Sequence, residues 1–124
     1  MNEWLIITML FIHWIADFVL QTETEAKNKS KNFKYLLLHT FSYTLIWFVF
    51  CLIYVGVTGN ERMLFFVPIT FFTHTFIDYY TSKVNTLLAQ EAKKTNKYHN
   101  FFVSIGFDQW LHFAQLILTF TILK

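Results

Sequence analysis

Four apolar blocks dictate what this chain can become: Trp4–Leu20, Tyr35–Val57, Met63–Tyr80 and Phe101–Leu123. Each is 17 to 23 residues long, the length an α-helix needs to cross a hydrocarbon layer of about 30 Å. Sixteen Phe in 124 residues is more large apolar side chain than one small interior encloses. Between Phe41 and Tyr54 apolar residues surround the whole helix, which argues against a soluble bundle with an oversized core. The expected fold is therefore all-α, a four-helix transmembrane bundle forming one membrane-embedded domain over residues 1–124. The first block has no basic leader and no small-residue cleavage site, and it carries His13 and Asp17. It reads as a retained span rather than a signal peptide.

Basic residues set the orientation. Lys27, Lys29, Lys31 and Lys34 lie between the first two blocks, and Lys83, Lys93, Lys94 and Lys97 between the last two. Only Arg62 lies between blocks two and three, and only Lys124 at the end. Two connections on one side thus hold eight of ten basic residues, and positive-inside makes that side cytoplasmic. Both termini are then outside, and the chain is a multi-pass protein of the cell inner (plasma) membrane. A formal charge of +2, with no basic patch interleaved with aromatics, excludes nucleic acid as a partner. Cys51 is alone within a span and forms no intrachain disulfide.

The connections are less defined. Gln21–Lys34 fits a helical extension or a loop. Thr58-Gly59-Asn60 signals a tight turn, making blocks two and three a hairpin. Ser82–Asn100 fits equally an interfacial amphipathic helix, with Val84, Leu87 and Leu88 on one face, and a solvated continuation of the third helix. Most Trp and Tyr residues mark span ends, whereas Trp47, in mid-span, reads as a packing residue.

Within the apolar blocks stand the three aspartates, each four residues from a histidine: His13-x3-Asp17, His74-x3-Asp78 and Asp108-x3-His112. One such landing has a chance of about 8%, and three come to about one in two thousand, or a few in a thousand if a spacing of three is also accepted. Four residues are about one helical turn, so each pair projects from one face. On the predicted topology every carboxylate is nearer the cytoplasm, with its imidazole about 6 Å deeper. His39, just inside span two, falls near the carboxylate level. A lone His-x3-Asp is more often a structural pair, but three pairs at one depth, with ionisable groups costly in lipid, point to a shared site.

Seven nitrogen and oxygen ligands (His13, Asp17, His39, His74, Asp78, Asp108 and His112) suffice for two divalent ions, Zn, Mn or Fe, with positions left for water. Asp17, Asp78 and Asp108 are the candidate catalytic carboxylates, one of them a general base. Gln21, Ser82 and Gln109 are candidates to orient ligands or meet substrate, and Lys29 and Lys83 could reach a phosphate at the cytoplasmic end. Thr70, Gln115 and Thr119 extend the polar stripe, where helix–helix hydrogen bonding is the competing role. His99 reads as solvated.

The segments HWIADFVLQT, LLLHT, THTFIDYYTSK and FDQWLH, in this order, resemble a family of small bacterial and phage membrane proteins, domain of unknown function 3307. The resemblance covers nearly the whole chain and implies no particular activity. A looser likeness, to inner-membrane metal-dependent hydrolases with His and Asp in short apolar helices, is an analogy of fold.

The expected function is divalent-metal-dependent hydrolysis of a phosphoester or lipid-type substrate at the cytoplasmic face, with membrane lipid as partner and an amphiphilic or phosphate-bearing substrate. No Ser or Cys nucleophile with a base partner is evident, so covalent catalysis is not expected. The alternative is a membrane protein that binds or transports metal or protons without chemistry. It would need a polar path to the outer face, and spans two and three are apolar there. A third class is an interaction protein whose buried pairs only hold the helices together. A homo-oligomer is compatible with the pattern.

Overall fold

A computed structural model describes residues 2–124. The Asn2 side chain accepts from the Leu5 N–H at 2.9 Å and starts α1, Glu3–Trp14. The helix then widens into one π-helical turn, Ile15–Val19, where the Leu20 N–H reaches back to the Ile15 carbonyl at 3.0 Å. After Thr22 comes the short α2, Glu23–Asn28, held by a reciprocal cap: the Thr22 hydroxyl accepts from the Glu25 N–H and the Glu25 carboxylate from the Thr22 N–H. The polar stretch after block one is thus a turn, a short helix and a loop.

Helix α3, Phe33–Thr58, ends at Gly59, whose φ of 71° supplies the left-handed cap that glycine adopts most cheaply. A 3-10 turn, Glu61–Phe65, leads into α4, Phe66–Thr95. Pro68 sits in the first turn of α4, where a missing N–H costs nothing. No Gly or Pro interrupts α4 beyond it, and the helix runs on until Asn96 turns the chain at φ 55°. Ser82–Thr95 therefore continues the third apolar helix instead of forming a separate interfacial one. Helix α5 covers His99–Leu123.

Helix α4 packs along both α3 and α5, while α1 and its π turn bridge α5 and α3. The bundle has three layers along its length. At the closed end Met9, Trp47, Cys51, Met63, Phe66, Leu116 and Phe120 form an apolar core, and Asn60 Nδ2 donates to the Leu123 carbonyl at 2.9 Å. Trp47 and Cys51 are both fully buried packing residues. The histidines and aspartates fill the middle, and a polar cavity opens beyond them. Around the outside, each of the four longer helices presents large apolar side chains: Ile7 and Phe11, Phe41 and Phe48, Phe72 and Phe76, Phe107 and Trp110.

Of the four expected spans, α3 and α5 are helices long and apolar enough to cross a membrane. The regular part of α1 has only 12 residues before the π turn, and α4 shares its length between an apolar and a polar half.

Candidate metal centre

Asp17 comes from the π turn, His39 from α3, His74 and Asp78 from α4, and Asp108 and His112 from α5; all are buried. One ligand atom from each of Asp17, His39, His74 and Asp78 lies within 4.8 Å of the others, a group that could hold a metal ion. His39 Nε2 is 3.0 Å from Asp17 Oδ1, 3.3 Å from His74 Nε2 and 3.3 Å from Asp78 Oδ2. His74 Nε2 is 3.5 Å from Asp78 Oδ2 and 3.7 Å from Asp17 Oδ1. A tetrahedral ion with bonds of about 2.0–2.1 Å spaces its ligands about 3.3–3.4 Å apart. The five edges scatter around that value. Hydrogen bonding alone accounts less well for the cluster, because the single proton His39 Nε2 carries as a neutral imidazole faces two carboxylate oxygens and a second ring nitrogen.

Asp78, Asp108 and His112 form a second group. His112 Nε2 lies 3.2 Å from Asp78 Oδ1 and 3.4 Å from Asp108 Oδ1. Asp78 thus turns Oδ2 to the first group and Oδ1 to the second, the disposition of a carboxylate bridging two ions.

His13 stands outside both groups. The Gln109 amide N–H₂ faces Asp108 Oδ2 at 3.3 Å and Asp17 Oδ2 at 3.5 Å, which turns its carbonyl oxygen to His13 Nε2 at 2.9 Å. A carbonyl only accepts, so this ring nitrogen carries the proton, and Nδ1 accepts from the Tyr43 hydroxyl at 2.8 Å. Both His13 nitrogens are engaged. The Tyr43 ring also stacks on His74 at 3.8 Å, so it braces two histidines. His74 Nδ1 and His112 Nδ1 have no hydrogen-bond partner among the described residues. Neither ring therefore has the outer partner usual for a ligating imidazole.

The cavity beyond the carboxylates measures about 230 Å³. Asp17, Asp78 and Asp108 line it, but no histidine does. The carboxylates face the opening and the imidazoles lie behind them. Gln21 and Ser82 also line it, and Gln21 Oε1 and Ser82 Oγ are buried there without partners. Lys29, just past α2, projects inward and donates to Asp78 Oδ2 at 2.9 Å. Burial alone would lower the Lys29 pKa, but the Asp78 and Asp17 carboxylates outweigh it and hold the ammonium above the usual lysine range. Lys83 goes elsewhere, its Nζ lying 3.5 Å above the Tyr79 ring. Gln115 donates to Thr70 of α4 at 3.2 Å and to Thr119 within α5 at 3.1 Å, away from the ligand groups. His99 is exposed at the start of α5.

Sequence reasoning missed Tyr43, masked by its apolar neighbours, and the cavity residues Ser30 and Asn85, which no periodic pattern distinguishes. The π turn left no signal in residue types.

Over residues 5–124 the chain matches the family described as protein of unknown function (DUF3307). The chain belongs to this family. No curated protein and no solved structure matches it. The family description assigns no activity, so the chemistry of the buried cluster carries the functional reading.

Proposed function

We propose that this DUF3307 chain is a membrane-embedded, divalent-metal-dependent hydrolase of phosphoester or lipid-type substrates. Its single domain would cross the inner membrane four times, with both termini outside and the cavity at the cytoplasmic face. The apolar side chains that all four longer helices turn outward support four spans rather than two, since a water-facing surface rarely carries so much. The lysine-rich connections support the orientation.

The observation that carries the reading is Asp78, shared between a four-atom and a three-atom ligand group beside an accessible polar cavity. Two carboxylates and two imidazoles at tetrahedral spacing suit zinc, with manganese or iron also compatible with nitrogen and oxygen donors. Divalent ions bound there would lower the pKa of a ligated water and draw charge from a phosphoryl oxygen. Asp108 lines the cavity beside the second ligand group and is the carboxylate that would take a proton from water. His13, Tyr43 and Gln109 would fix the Asp17 and Asp108 carboxylates. The closed end supports hydrolysis over transport, because Trp47, Phe66 and Phe120 pack there in an apolar core and the few polar groups beside them, Thr70, Gln115 and Thr119, bond one another.

Elemental analysis of protein purified in detergent without chelator tests the metal. Release of p-nitrophenol from its phosphate ester tests the chemistry. About two ions per chain and a turnover lost in Asp108→Asn are expected. Metal-free wild type would refute the proposal.

A further inference from the structure

We propose that the cavity is a phosphate-binding subsite organised by Lys29, whose ammonium is freed for the anion only when the ligand groups hold metal. This rests on the metal reading above, narrows its substrate to a phosphate-bearing one and adds an order of binding. Lys29 is the only Lys or Arg lining the cavity among the described residues. Its side chain is 17% exposed, and its partner is Asp78 Oδ2. That same oxygen belongs to the four-atom ligand group. One oxygen is therefore claimed by an ammonium and by a cation site, and the two compete. Occupation of the ligand group satisfies Asp78 through both oxygens and leaves Lys29 a largely buried charge in need of a new anion.

The cavity offers what such an anion needs. Ser82 Oγ is buried without a partner. The Thr86 hydroxyl proton goes to the Ser82 carbonyl at 2.8 Å, so Ser30 donates to Thr86 Oγ1 at 3.0 Å and braces the wall of the cavity. Asn85 Oδ1 accepts from the Ser104 hydroxyl, which leaves the amide N–H₂ for the cavity. Lys29 is held over these donors by the capped α2 on one side and the Ser30–Thr86 bond on the other. Among the described residues, the only carboxylates lining the cavity are the three aspartates of the ligand groups, so metal loading turns its field positive. The volume, about 230 Å³, is below the roughly 300–1,000 Å³ of drug-sized ligand sites. A phosphate or a small phosphorylated headgroup fits; a large nucleotide does not. Phe18, exposed on the outside and also lining the cavity, leaves an apolar flank against which an acyl chain could lie.

The test uses the full chain in nanodiscs, zinc-loaded or stripped, with zinc affinity read by chelator competition and binding of radiolabelled orthophosphate read directly. Wild type should bind phosphate at least tenfold more tightly when loaded. Lys29→Gln should keep zinc or bind it severalfold more tightly, since a competitor is gone, and lose phosphate binding at least tenfold. Lys29→Arg should retain both, and Ser82→Ala should weaken phosphate alone. Phosphatidic acid, compared with phosphatidylcholine in the discs, distinguishes the sources: competition by the former assigns a lipid headgroup, and its absence assigns free phosphate. Zinc retained with phosphate binding indifferent to loading or to Lys29→Gln overturns this inference alone. Wild type without zinc overturns the metal reading beneath it.

Discussion

Asp78→Asn removes one carboxylate from two ligand groups at once, whereas Asp108→Asn touches only the second group. The amide keeps the shape and the position on α4, so packing should change little. Loss of partners that merely orient a ligand costs 10–100-fold in metal affinity, so loss of the ligand itself should cost at least 100-fold. Converted at about 1.4 kcal/mol per tenfold, that is about 2.8 kcal/mol for each group. Asp108→Asn should therefore keep one tightly held ion in the four-atom group, and Asp78→Asn neither. Zinc per chain after gel filtration, together with competition by a chromogenic chelator, reads both outcomes. Circular dichroism confirms that helix content is kept. Asp78→Asn also leaves the Lys29 ammonium without its 2.9 Å partner, so Lys29→Gln in the same chain separates lost ligation from a stranded charge. If Asp78→Asn retains one ion at wild-type affinity, or Asp108→Asn loses both, the bridging role is refuted.

Other outcomes test the remaining parts of the reading. Phe72→Lys, on the outer face of α4, should destabilise a lipid-facing site by about 2.5–3.5 kcal/mol, against at most about 0.5 kcal/mol on a water-facing one; a neutral result in nanodisc unfolding would remove α4 from the membrane. Tyr43→Phe strips the hydroxyl from His13 Nδ1 and should cost about 1–3 kcal/mol in denaturant unfolding. Its zinc affinity should fall by no more than tenfold, because His13 lies outside both ligand groups; a larger loss would place His13 among the ligands. In a Cys51→Ala background, Lys31→Cys and Lys97→Cys should react with an impermeant maleimide only in inside-out vesicles, and Thr58→Cys only in right-side-out ones. Any other pattern overturns the orientation.

Spacing and helix geometry made much of the site legible. His74 and Asp78 lie on one face of an uninterrupted α-helix, as do Asp108 and His112, so a four-residue interval translates directly into proximity. His39 was recognisable because a histidine in an apolar helix needs partners. The interval around His13 also gives proximity, with Nε2 3.6 Å from Asp17 Oδ2, but Gln109 and Tyr43, from two other helices, hold its ring nitrogens, and intervals do not show such partners. Lys29 reaches the centre because α2 folds back over the cavity, and such a return leaves no periodicity to read. Lys83, one residue past Ser82, points to a different face and rests on Tyr79. Charge counting sees both lysines alike, and only the fold separates them. The extent of α4 was ambiguous because Ser82–Thr95 is polar yet contains no residue that breaks a helix.

The wide turn at Ile15–Val19 makes chain length itself an ingredient of the centre. One surplus residue wound into a single turn rotates the downstream side chains away from the face of α1 by about 100°, the arc one residue subtends. Asp17 sits in the middle of that offset. Two relatives could share every histidine and aspartate, differ by one position between Trp14 and Leu20, and still aim this carboxylate at different neighbours.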